Sequence, residues 1–187
     1  MFDRKNLVED FLLAAALVLF FANHEPSHAD GIRTAGDMLQ VALPATALGM
    51  TLSEPDRTGT RQWLESFVTT TVVTQTLKHA IDRERPNGGD LSFPSGHTSS
   101  AFHGAAFIHR RYGDTYAVPA YVLAAFVGYS RVHAGVHYWS DVAAGAAVGI
   151  AAAWYWAEPR SNDHSSMLVP VIDPDRRTFG LNWIRSF

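Results

Sequence analysis

The chain contains no cysteine. That absence excludes a disulfide framework, thiolate zinc sites, iron–sulfur clusters and cysteine nucleophiles together. Charge is scarce as well: Asp, Glu, Lys and Arg make up 18% of residues, against about a quarter in average soluble domains. Fifteen Lys and Arg face eighteen Asp and Glu, for a formal charge of −3 and a sequence pI near 6.3. No global basic field therefore draws the protein to nucleic acid. Long hydrophobic runs are short of the usual span, and mean hydropathy is −0.03. No internal repeat or low-complexity tract is present. What remains is a chain of 187 residues, 47% apolar, long enough for one domain with a real core and too apolar for disorder. Nine histidines are many for this length, and their placement carries the argument.

Six stretches are poor in charge: residues 11–33 (apolar only to about Ala22), 38–53, 66–77, 91–109, 115–130 and 142–157. Most are shorter than the ~20 apolar residues of a bilayer span. The third carries five threonines and Gln75, so it faces other helices rather than lipid. Placing the N-terminus in the cytoplasm puts ten Lys and Arg inside and five outside, as the positive-inside rule requires. Residues 11–21 followed by Ser27-His28-Ala29 also resemble a signal peptide with its cleavage site. Asp3, Glu9 and Asp10 beside Arg4 and Lys5 do not suit a positive leader, which favours an uncleaved first helix. Beyond Glu158-Pro159, residues 167–172 and 179–184 are β-prone runs around Asp173-Pro174-Asp175, the pattern of a hairpin. The expectation is an all-α fold, a six-helix transmembrane bundle over residues 1–158, with a tail over 159–187 that holds a short C-terminal β-hairpin.

Three segments carry chemistry. Lys78 closes the third stretch, and Arg85-Pro86 follows seven residues later. Pro94-Ser95-Gly96-His97 precedes the body of the fourth. Ser130-Arg131 and His137 through Asp141 bridge the fifth and sixth. Helices that alternate in direction bring these four ends to one membrane face, on the outside. Lys78, Arg85 and Arg131 would repel one another in a partly dry pocket. A dianion resolves that, and guanidinium forks suit phosphate oxygens. Ser95-Gly96 at a helix start adds backbone N–H donors and the positive end of the dipole. His137 and Asp141 are four apart, so on a helix they share a face, and the carboxylate can accept Nδ1–H while Nε2 attacks phosphorus. His97 can protonate the leaving oxygen and then activate water.

The patterns K-x6-R-P, P-S-G-H and S-R-x5-H-x3-D resemble those of the type 2 phosphatidic acid phosphatase superfamily at every defining position, in the same order, across residues 36–147. The resemblance implies an all-helical bundle, a phosphohistidine intermediate and no metal or other cofactor. It implies Lys78, Arg85 and Arg131 as phosphate ligands, Ser95-Gly96 as backbone ligands, His97 as acid/base, His137 as nucleophile and Asp141 as its partner. The short chain is similar to the bacterial membrane branch, which dephosphorylates lipids. That implies a multi-pass protein of the bacterial inner membrane whose site faces the periplasm or cell exterior. Phosphatidic acid, phosphatidylglycerophosphate, undecaprenyl diphosphate and the lipid A 1-phosphate are the substrates it suggests. The sequence does not choose among them and is silent on oligomeric state.

Competing readings stay open at this level. A soluble periplasmic non-specific acid phosphatase would use the same residues on small esters. A vanadium-dependent haloperoxidase would use the same anion pocket for vanadate. A transport or scaffold protein has no use for so complete a set. Ser95 reads equally as an N-cap. His133, with His137 and Asp141, mimics metal-ligand spacing, but Ala134-Gly135 interrupts a helix there and Arg131 would repel a cation. His79, His103 and His109 read as structural, and Tyr138 and Trp139 as interface markers.

Overall fold

A computed structural model describes residues 28–53, 56–160, 166–173 and 178–185. Within them lie five helices, α1 (His28–Ser53), α2 (Arg57–Ile81), α3 (Gly96–Tyr112), α4 (Asp114–His133) and α5 (Trp139–Trp156), followed by strands β1 (Ser166–Asp173) and β2 (Thr178–Arg185). Each of the five later stretches of low charge corresponds to one helix. The first stretch, with its two readings as helix or leader, lies outside the described residues. The strands pair antiparallel from Ser166 opposite Arg185 to Asp173 opposite Thr178, which is the expected hairpin.

The six-span expectation is corrected here: the described helices number five, and none of them is long and apolar enough to cross a membrane. The reason is visible on α2. Its buried residues include Gln62, Ser66, Thr70, Thr74 and Lys78, a polar stripe at i, i+4 spacing. Its exposed side carries Leu64, Val68, Val72 and Val73. A soluble amphipathic helix has the reverse arrangement.

Helix α3 is the centre of the bundle and packs on the other four. Ala101, Ala105, Ala106, Phe107 and Ile108 are all essentially inaccessible. Against it lies α5, whose Gly145 and Gly149 let the two backbones meet. A Cβ at Gly149 would stand 2.3 Å from the Ser99 carbonyl oxygen, and one at Gly145 would stand 2.5 Å from that of Ser95. Pro44 interrupts the ladder of α1 by removing the donor that the Gln40 carbonyl would otherwise receive. Ser100 Oγ on α3 donates to that carbonyl at 2.9 Å, so the interruption becomes an inter-helix bond.

One end of the bundle is tied by Arg111. Its guanidinium donates to both carboxylate oxygens of Asp56, at 2.7 and 2.5 Å, and to Gln62 Oε1 and the Glu158 carbonyl. Arg160 N–H also donates to the Arg111 carbonyl. These bonds join the start of α2, the end of α3 and the segment after α5. The opposite end therefore collects the end of α2, the start of α3, the end of α4 and the start of α5.

Candidate active site

That opposite end holds the motif residues. Lys78 lies in the last turn of α2, with its side chain buried and Nζ donating to the Leu91 carbonyl at 2.7 Å. The connection to α3 folds back on itself. Arg85 N–H donates to the Gly89 carbonyl, Arg85 Nε to the Asp90 carbonyl at 2.9 Å, and Ser92 N–H to the Arg83 carbonyl. Arg85 is thus held at the rim, half-exposed.

Helix α3 begins at Gly96 with Ser95 as its N-cap. The Ser95 hydroxyl accepts from Thr98 N–H and Thr98 Oγ1, and its N–H donates to the Asp141 carbonyl at 3.0 Å. The expected ligand amide of Ser95 is therefore committed within the protein, where it fastens α3 to α5. Gly96 and His97 occupy the first turn, whose N–H groups have no intrahelical acceptor. A Cβ at Gly96 would meet nothing nearer than Lys78 Cε at 3.8 Å, so packing within the protein does not demand glycine there.

His137 and Asp141 come together, although not on one helical face. Helix α5 starts at Trp139, leaving His137 in the preceding turn. Asp141 reaches back: its Oδ2 accepts from Tyr138 N–H at 2.9 Å and from Ser92 Oγ at 2.6 Å, and lies 3.5 Å from His137 Nδ1. The pairing is a product of helix capping. Asp141 Oδ1 accepts from Arg83 Nη1 at 3.0 Å, while the Arg83 guanidinium stacks 4.2 Å above the Tyr138 ring. His137 is 3% exposed. Burial, together with the positive charges of Lys78 and Arg85, pushes its imidazole down to about 4 against the pull of Asp141. It is neutral at physiological pH, with Nδ1 toward the carboxylate and Nε2 away from it.

His97 and Arg131 form a second group. Arg131, buried at the end of α4, donates from Nη1 to Asp37 Oδ1, from Nη2 to the Arg33 carbonyl and from Nε to Ser130 Oγ. His97 Nε2 lies 3.0 Å from the same Asp37 oxygen. Every motif residue thus sits at this end of the bundle. Sequence reasoning did not single out Ser92, Arg83 or Asp37. For Asp37 a signal existed, since it is a carboxylate at the start of a low-charge stretch on the face that gathers the cations. His133 is exposed and stacked on Tyr129, and among the described residues no three His, Asp or Glu gather as metal ligands. His103 is fully buried, with Nε2 2.8 Å from Ser66 Oγ and its ring edge-on to Phe67.

Comparison with known proteins gives the family. The PAP2 superfamily model matches residues 60–163, a stretch that contains all three motifs. The chain is 30% identical over 152 residues to a lipid A 4'-phosphatase of Helicobacter pylori, covering 75% of this chain and 76% of that protein. It is 46% identical over 77 residues to a lipid A 1-phosphatase of Porphyromonas gingivalis, covering 39% of this chain and only 17% of that protein. Among solved structures, the PAP2 type phosphatidylglycerolphosphate phosphatase from Bacillus subtilis superposes with a TM-score of 0.54 at 25% identity, over 83% of this chain and 94% of that one. LpxE of Aquifex aeolicus shares the fold with a TM-score of 0.60 at 24% identity, over 74% of this chain and 90% of that one. With more than half of its length matched by the family model and a relative covered over three quarters, the chain belongs to the PAP2 superfamily.

Proposed function

We propose that this protein is a membrane lipid phosphatase that hydrolyses a lipid phosphate or diphosphate monoester through a phosphohistidine intermediate, without a metal. The observation that carries the reading is His137: a buried, neutral imidazole oriented by Asp141 and faced by Lys78 and Arg85. The substrate class is supported by the relatives, which are named for lipid A and phosphatidylglycerolphosphate.

In this reading His137 Nε2 attacks phosphorus, and Asp141 stabilises the charge that develops on the ring. Lys78, Arg85 and Arg131 neutralise the phosphoryl oxygens, helped by the first-turn amides of Gly96 and His97. Ser95 serves as cap and as the link to α5 rather than as a ligand. His97 gives a proton to the leaving oxygen, then takes one from the water that releases phosphate from His137.

The membrane setting is supported by the inverted α2 and by exposed Val118 and Val122 on α4. Tyr138 and Trp139 at the start of α5 and Trp154 and Tyr155 at its end are also exposed, which suits two interfacial belts. The asymmetry of Lys and Arg supports a site on the extracytoplasmic side of a bacterial cytoplasmic membrane. The phosphatase domain, read from sequence as residues 1–158, then extends to Arg160, whose backbone is bonded to α3. The hairpin segment is an appended tail.

The test is phosphate release by detergent-purified protein from a panel of lipid and water-soluble phosphates, with excess EDTA. Rapid release from a lipid, inhibited by orthovanadate, is the expected result. Preference for small esters, with the protein found in the soluble fraction after carbonate washing, would favour a soluble acid phosphatase. No release by folded protein would overturn the reading.

A further inference from the structure

Each histidine of the site has its own carboxylate, and the second carboxylate comes from outside the motifs. Asp37 lies on α1, and a single oxygen of its side chain, Oδ1, is 3.0 Å from His97 Nε2 and 2.5 Å from Arg131 Nη1. The approach of α1 to this point is tight. A Cβ on the neighbouring Gly36 would stand 2.0 Å from Ser130 Oγ and 2.6 Å from Arg131 Nη2, so glycine is required for α1 to seat Asp37. The Asp37 side chain remains 43% exposed, at the mouth of the site and not buried under it.

A carboxylate bonded to one imidazole nitrogen decides which nitrogen is left for other work. With Nε2 turned to Asp37, Nδ1 is the atom of His97 free to exchange a proton with substrate. The charged groups that face His97 are Asp37 from α1, Arg131 from α4 and Arg85 from the connection before α3. Burial and the two cations disfavour an imidazolium there, and Asp37 is the one anion of the three that works against them. We propose that Asp37 is a positioning residue that holds His97 by Nε2, leaves Nδ1 to the substrate, and fixes the Arg131 guanidinium in the same contact.

The proposal rests on the reading of His97 as the proton donor. In the first step the P–O bond of the ester breaks as the bond from phosphorus to His137 Nε2 forms, and the proton on His97 Nδ1 passes to the leaving oxygen. His97 is then neutral, still bonded through Nε2–H to an ionised Asp37. In the second step water attacks phosphorus, its proton passes to His97 Nδ1, and the P–N bond breaks to release inorganic phosphate. Asp37 stays a carboxylate throughout.

The experiment compares two esters with the purified full chain: a dialkylglycerol phosphate, whose leaving alkoxide needs a proton, and p-nitrophenyl phosphate, whose leaving group does not. Asp37→Asn should lower kcat on the alkyl ester roughly 10- to 100-fold and on the aryl ester only slightly. Removing the anion lowers the proton affinity of His97, so the alkaline limb of the kcat–pH profile should move to lower pH. Asp37→Glu, which keeps the carboxylate, should restore most of the alkyl activity, and it carries the test if the Asn variant does not fold. Equal losses on both esters with an unshifted profile would make Asp37 merely structural and overturn the proposal. Unchanged activity in both variants would overturn it as well. A folded wild-type protein that cleaves neither ester would overturn the phosphatase reading and this inference with it.

Discussion

Ser92 donates to Asp141 Oδ2 at 2.6 Å from a fully buried position, and its hydroxyl is 3.5 Å from His137 Nδ1. Without it the carboxylate loses its shortest bond and the His137 ring its second neighbour. A hydrogen bond to a charged group contributes about 1.5–3 kcal/mol, and each ~1.4 kcal/mol is about tenfold in rate. Ser92→Ala should therefore lower kcat by at least about tenfold with little change in KM, a split that steady-state kinetics would show. The proton affinity of His137 yields a second prediction. Its folded value of about 4 lies below the ordinary ~6.5 of an unfolded histidine. As pH falls below ~6.5 the unfolded state takes up the proton first, so stability declines from there until pH passes about 4, where both states are protonated. In the proposed mechanism turnover needs the neutral ring, so it should fall on the acid side with a midpoint near 4. Thermal unfolding across this range, compared with His137→Gln, would isolate the contribution. A variant with the wild-type pH slope would show that other groups cause it.

The junction of α3 with α5 positions the site from behind. Gly149 faces the Ser99 carbonyl, one turn along α3 from the residues that cap it, whereas Gly145 faces the Ser95 carbonyl itself. Overpacking of a close helix pair costs about 1–3 kcal/mol. Gly149→Ala should lower the unfolding temperature while activity at low temperature persists. Gly145→Ala should reduce both, because it pushes on the residue that joins the cap of α3 to Asp141. Equal effects of the two on turnover would contradict this division. At this scale the helices themselves were legible: charge-poor stretches marked α3 and α5, and Ser95-Gly96 marked a start. The start of α5 was not legible, because spacing alone cannot tell a His-x3-Asp pair on a helix from one made by a capping carboxylate reaching back. The polar interior of α2 was legible in its five threonines. The exposure of its valines was not, because burial depends on which neighbours arrive.

The bundle has two differently built ends. Arg111 and Asp56 close one with a nearly inaccessible ion pair, and the site opens at the other. Removing one member of a buried pair leaves the other uncompensated, at roughly 3 to 5 kcal/mol. Arg111→Met should accordingly lower the unfolding temperature sharply while leaving kcat per folded molecule near wild type, since the pair lies at the far end from His137. Thermal unfolding beside turnover at low temperature would check it, and a loss of kcat in fully folded protein would contradict the separation. The sequence by itself determined the three motifs, their order, and their meeting at one end, because helices of similar length that alternate in direction return every second end to the same side. Motif chemistry was legible for the same reason: residue types and short spacings survive without a structure. Tertiary structure alone decided that Asp37, 94 residues from Arg131 along the chain, would bridge Arg131 and His97, and that Ser92 and Arg83 would share Asp141. It also decided that the Ser95 amide would be spent on α5. Such contacts depend on how whole helices seat against one another, with Gly36 and Gly145 setting the distance, and local periodicity carries no record of that.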